Sequence, residues 1–190
     1  MNLQITPPSP RARLRDATQR AHEETEAAFA ALDLTQRDDY RTFLEYQAAV
    51  ILPLEHELDA VGADALLPDW ARRKRTAALS DDLHDLDGVS RPVHPPVILN
   101  PASAWGMLYV LEGSRLGGRV LSSIVSRSDD PRVRNATRFL RHGEAQQFWP
   151  SFVAALNAAL KTEAEISAAI DGAIITFALF RPRVMHTATA

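Results

Sequence analysis

The chain has 190 residues, 46% of them apolar, with 21 basic and 24 acidic side chains and a formal net charge of −3. That length suits one domain with a sizeable core, and a charge so near zero excludes nucleic-acid binding by bulk electrostatics. With no cysteine, disulfides, thiolate metal sites and cysteine nucleophiles are excluded as well, a composition that suits the cytoplasm.

The first ten residues contain Pro7, Pro8 and Pro10 and are expected to form a flexible arm, with one domain over 11–185 and a tail over 186–190. The N-terminus lacks the apolar run of a signal peptide. The stretch GAIITFALF (172–180) is about half the ~20 residues of a membrane span. A soluble protein without a membrane partner is expected.

From Arg11 the pattern is helical, with Leu14, Thr18, Ala21, Thr25, Phe29 and Leu32 on one face. Thr35, with Asp38 three residues on, predicts an N-cap for a helix over 37–61, which Pro53 should kink or split. Residues 62–69 form a connection, 70–79 a short basic helix and 80–86 a further helical stretch. Three prolines and a glycine in 87–99 predict a loop or extended strap. Asn100-Pro101 opens a helix to about Ser126. Another helix is expected over 131–158, kinked or divided at Pro150. Thr162 and Glu165 form a capping-box pair for the last helix, which ends before Pro182. No alternation of strand type persists, so the class is all-α, in a single domain.

Two segments carry the chemistry. In LRDATQRAHEETE (14–26), His22 adjoins the apolar line at Ala21 and Thr25, which places it at the edge of the core. Glu26, one turn later, can reach an imidazole nitrogen. Such a carboxylate fixes the tautomer and turns the other nitrogen toward a metal; the same spacing also describes a structural histidine satisfied by a surface carboxylate. In YVLEGSRLGGRVL (109–121), Gly113, Gly117 and Gly118 follow Gly106 within one helical pattern. Each costs roughly 1 kcal/mol relative to alanine. Close approach of a flat ligand, or tight packing of another helix, would compensate.

These two segments resemble the haem oxygenase family, its bacterial, biliverdin-producing members above all. The first matches the family's proximal helix at Leu14, Arg15, Ala17, Thr18, His22 and Glu26; the second matches the glycine-rich distal helix at Gly113, Gly117, Gly118, Val120 and Leu121. The resemblance covers about 11–185. It implies a helical fold with haem between the first helix and a kinked glycine helix. It further implies His22 as the axial iron ligand and Glu26 as its hydrogen-bonding partner. Arg15 would face a propionate, and Gly113 and Gly117 the distal face.

The chain departs from the mammalian-type pattern in three places. Ser114 replaces the aspartate that organises distal water and takes its place among the catalytic candidates with Gly113 and Gly117. Tyr109 is displaced by one residue from the family's propionate-binding tyrosine. Gln146 and Pro150 stand where lysine and arginine are expected, so Arg115, Arg119 and Arg141 are candidate substitutes.

The implied reaction opens haem b, both cofactor and substrate, with O2 to biliverdin, CO and iron. No flavin or nicotinamide fingerprint is present, so electrons must come from a separate ferredoxin- or flavoprotein-type donor. Bacterial relatives often pass biliverdin to a bacteriophytochrome. The competing reading is a non-catalytic haem-binding or haem-delivery protein on the same fold.

WARRKR (70–75) holds four consecutive basic residues. It is either a dock for an acidic electron donor or a solvated helix face. DDLHDLD (81–87) reads as a solvated stretch, and His56, His94, His142 and His186 are assigned no chemistry.

Overall fold

In the computed structural model the chain is described over residues 7–93 and 100–181. Most of the expected arm, the second half of the proline-rich strap with His94, and the tail with His186 lie outside the described residues. Helix α1 (Pro10–Phe29) starts one residue earlier than expected, because Pro10 takes the first helical position, where no N–H is required. The Ser9 side chain accepts from the Ala12 N–H and caps it. Leu14 and Thr18 are the buried residues of this helix.

The second helix, α2 (Arg37–Ala60), differs from expectation at its cap. Thr35 does not cap it: the Thr35 hydroxyl donates to Asp33 at 2.7 Å, and Gln36 occupies the cap position. Pro53 does not split it. A proline leaves the carbonyl four residues back without its helical donor, and here the Val93 N–H donates to the Ala49 carbonyl at 2.8 Å. The strap repairs what Pro53 removes.

A short α3 (Ala63–Leu66) lies in the connection. The expected basic helix is broken into α4 (Trp70–Arg73) and the start of α5 (Thr76–Asp85). The buried Glu55 carboxylate causes the break by accepting the N–H groups of Arg75 and Thr76 and the Thr76 hydroxyl. Helix α6 (Pro101–Val125) opens as expected, with Asn100 accepting from the Ser103 N–H at 2.8 Å.

The helix expected over 131–158 is instead three: α7 (Pro131–Asn135), α8 (Arg138–Arg141) and α9 (Phe148–Ala159). The fully buried Asp82 accepts the N–H groups of Arg138 and Phe139 and so starts α8. Gly143 then turns the chain away at φ 76°. Pro150 sits in the first turn of α9 and divides nothing. Helix α10 (Glu163–Leu179) carries both halves of the predicted capping box.

The ten helices, with no strand among the described residues, make the all-α fold expected. Helix α10 is central, packing on α6 and α1, while α2 packs on α5. Glycines permit the closest approaches. A Cβ on Gly106 would run into the Ala169 backbone, one on Gly172 into Ser103, and one on Gly118 into Leu140.

Candidate functional site

Residues 106, 109, 113, 116, 117 and 120 fall on one face of α6 by helical spacing. Helix α10 covers this stripe at Gly106. Further along, the stripe is bare among the described residues: no other element lies within 4 Å of the position a Gly117 Cβ would take, and Leu116 and Val120 are 58% and 64% exposed. Ile174 and Ile175 of α10 are exposed as well. A bare apolar stripe rather than an isolated exposed side chain marks a binding surface.

The glycines thus divide by task. Gly106 and Gly118 serve helix packing and Gly117 opens the stripe. Gly113 lies between: its absent Cβ would rest 3.7 Å from the Trp149 ring, an ordinary contact. Trp149 in turn packs on the rings of Tyr109 and Phe152, each centroid 5.8 Å away.

Where α6 leaves α10, Tyr109 reaches α1 beside Thr18, in the field of Arg11 and Arg15; burial pushes its hydroxyl above the ordinary phenol range. The Thr18 hydroxyl donates to the Leu14 carbonyl at 2.7 Å, so the two helices meet at a polar corner. Arg15 is exposed and paired with Asp16 at 2.6 Å. His22 lies one turn of α1 beyond Thr18. Its side chain is 57% exposed, more open than a position at the edge of the core implies. The ring stands edge-on to buried Phe177, centroids 5.8 Å apart. Glu26 Oε2 lies 3.5 Å from Nδ1, so Nε2 is the nitrogen left for a ligand.

Other expectations are corrected. Ser114 donates its hydroxyl proton to the Leu111 carbonyl at 2.8 Å and sits beside the stripe. Arg115 is on the opposite side of α6, because two residues turn a helix by roughly 200°. Its guanidinium bonds Glu112 at 3.0 Å, the Arg73 carbonyl and His142 Nδ1, and cannot also serve a ligand at Gly113. Arg119 and Arg141 are exposed and both face Glu144.

WARRKR is divided between interior and surface. Arg73 and Arg75 are buried, 1% and 3% exposed. Arg73 donates to Asp69, Glu112, the Phe148 carbonyl and Ser151. Arg75 donates to the Leu111 carbonyl, and burial, with Arg115 nearby, lowers its guanidinium to about 9. At the surface, Arg72 bonds Gln146 and Lys74 pairs with Asp59.

His142 is also drawn in. Burial, then the Arg115 charge, lowers it to about 4, so Nδ1 is an unprotonated acceptor for Arg115. Asp82 of DDLHDLD is buried rather than solvated, and burial raises its carboxyl. A concavity of about 630 Å³ is rimmed by Arg72, Arg141, His142 and Phe148. It lies on the Arg115 side of α6, away from His22, and its charged groups are already paired.

The residues that sequence reasoning missed are Glu112, Phe148, Trp149 and Arg11. Only Glu112 left a signal: a carboxylate inside the apolar run of α6 requires a buried cation.

Comparison with known proteins fits this arrangement. The family model described as "Heme oxygenase" matches residues 10–186. The chain is 32% identical over 144 residues to a heme oxygenase of Xanthomonas campestris pv. campestris (strain 8004), a match spanning 75% of this chain and 87% of that protein. Among solved structures, the NO- and CO-bound heme oxygenase of Neisseria meningitidis superposes with a TM-score of 0.70 at 22% identity, over 90% of this chain and 88% of that one. The heme oxygenase of Leptospira interrogans gives 0.72 at 19% identity, over 92% and 97%. These two likenesses carry the fold. The family match and the Xanthomonas relative carry the assignment: the chain belongs to the haem oxygenase family of enzymes, for which haem is both cofactor and substrate.

Proposed function

We propose that this enzyme opens haem to biliverdin, CO and iron, with O2 and electrons from a separate ferredoxin- or flavoprotein-type donor, on a site built by α1 and α6. The observation that carries this reading is the bare stripe of α6 at Leu116, Gly117 and Val120, which emerges where Tyr109 meets the helix bearing His22. A flat apolar macrocycle fits a surface without large side chains at its centre. Its two carboxylates fit the corner of Arg11, Arg15 and Tyr109, better than Arg115 or the Gln146 and Pro150 positions.

When bound, haem supplies the iron that activates dioxygen and the meso carbon at which the ring opens. Glu26 holds the His22 ring by its Nδ1 side and presents Nε2 to the metal. A neutral imidazole donates less electron density to iron than a thiolate does. Beyond Tyr109 the stripe (Gly113, Leu116, Gly117, Val120) carries no titratable side chain, so these four positions supply neither acid nor base to the distal face. Ser114 keeps its oxygen lone pairs as acceptors beside the stripe, its proton being held by Leu111.

The electron donor has no dock at residues 72–75 in this reading, since half of that cluster is interior. No helix among the described residues is long and apolar enough to cross a membrane, and the cysteine-free chain suits a cytoplasmic enzyme whose biliverdin a bacteriophytochrome could take up.

Hemin titration followed by reduction under O2, with ascorbate or a ferredoxin system, tests the proposal. One CO and one biliverdin per haem are expected. Tight binding without CO release would make the chain a haem carrier, and no binding would remove the site.

A further inference from the structure

Glu112 immediately precedes Gly113, and its side chain is fully buried. One oxygen accepts from Arg73 at 2.8 Å and the other from Arg115 at 3.0 Å. Arg73 goes on to the Phe148 carbonyl at 3.0 Å and Ser151 Oγ at 2.7 Å. Both guanidiniums also lie over the Phe148 ring, 4.7 and 5.2 Å from its centroid. One carboxylate thereby ties α4, α6 and the first turn of α9. The residue after Phe148 is Trp149, whose ring is the neighbour of Gly113.

Two residues of the candidate haem wall, Gly113 and Trp149, are therefore each the covalent neighbour of a member of this network. The anchor sits where α6 needs one. Gly113, Gly117 and Gly118 follow it, and glycine-rich helix is intrinsically loose. A buried ion cluster is a poor device for stability, since well-packed apolar side chains often do as well. Its charge-assisted hydrogen bonds, with each carboxylate oxygen given to a different arginine, fix geometry instead.

We propose that Glu112, Arg73 and Arg115 are positioning residues that hold Trp149 against Gly113 and so set the shape of the wall on which one haem edge rests. This rests on the haem reading of the α6 stripe. None of the three touches haem; they act through the backbone of α6 and through Trp149.

The test compares Glu112→Gln with Leu58→Ala, which empties a core position on α2 and removes no member of the network, at matched loss of thermal stability. In the haem-free protein, Glu112→Gln should raise amide exchange over 113–121 relative to 101–108 by at least about ten-fold, the change that ~1.4 kcal/mol of lost anchoring produces. With haem, it should alter the ratio of biliverdin isomers. Leu58→Ala should do neither. Where Glu112→Gln fails to fold, Arg115→Lys, which keeps the charge but cannot bond Glu112, the Arg73 carbonyl and His142 from one planar group, carries the same two readouts. A variant whose exchange rises evenly along α6, with an unchanged isomer ratio, overturns the proposal. Failure of the unsubstituted protein to bind hemin would instead remove the haem reading, and the exchange comparison, made without haem, would still report on the anchor.

Discussion

At the scale of single residues, the geometry separates two glycines that the sequence presents as equivalent. A methyl group at Gly117 meets no other element within 4 Å among the described residues, whereas at Gly113 it rests on Trp149 at an ordinary distance. Alanine is also the better helix former by about 1 kcal/mol. Gly117→Ala should therefore raise the melting temperature of the haem-free protein by roughly 2–4 °C, while lowering haem affinity and biliverdin yield. Gly113→Ala should be the milder of the two in activity. Melting curves beside hemin titrations check both; equal losses of activity would show that the stripe does not open at Gly117. His142 makes a pH prediction. Its imidazole is held neutral down to about 4 in the fold, by burial first and the Arg115 charge second, against an ordinary value of about 6.5. A depressed folded value means that the unfolded chain binds the proton first, so stability is lost as pH falls from about 6.5 to about 4 and changes no further below. Replacing His142 by asparagine should flatten that part of the stability–pH curve, as urea unfolding at several pH values would show.

At the scale of the element, what was legible in the sequence is what is locally determined. Asn100-Pro101 and the Thr162–Glu165 box begin α6 and α10 as expected because cap and capped groups lie within three residues of each other. The breaks before Thr76 and Arg138 were not legible. Their caps come from Glu55 and Asp82, 20 and 56 residues distant in sequence. Thr35 had the right spacing for a cap but found Asp33 first, a local competition that spacing alone does not rank. The glycine-rich helix was read with two open explanations, and both hold at different positions. Since Gly106 stands against the Ala169 backbone, Gly106→Ala should cost about 1–3 kcal/mol by overpacking, outweighing its gain in helix propensity. Its denaturation midpoint should fall where that of Gly117→Ala rises. A rise in both would place α10 farther from α6 than the packing described.

On the scale of the whole molecule, the sequence drew attention to His22, Glu26 and the glycine helix but misread the burial of the charges in WARRKR. Four adjacent basic residues look like a surface, yet Arg73 and Arg75 are interior: Glu112 and two backbone carbonyls from elsewhere in the chain receive the guanidiniums, and Glu55 accepts the Arg75 backbone N–H. Breaking one partner of a buried pair costs about 3–5 kcal/mol. Arg73→Ala should therefore destabilise the fold by that order, while Arg72→Ala, at an exposed side chain bonded only to Gln146, should change it by less than about 0.5 kcal/mol. Urea denaturation of the two variants separates an interior cluster from a docking patch, for which the two losses would be alike and small. The account as a whole stands on His22 as the iron ligand of a haem lying on the bare stripe of α6, and one spectrum addresses it directly: low-temperature electron paramagnetic resonance of the ferric hemin complex, for the unsubstituted protein and for His22→Ala. The variant is expected to bind hemin through the apolar stripe and the arginine corner, to lose the signal of a protein imidazole and to form no biliverdin, with added imidazole restoring part of both. An unchanged iron signal in His22→Ala with undiminished turnover would contradict the assignment.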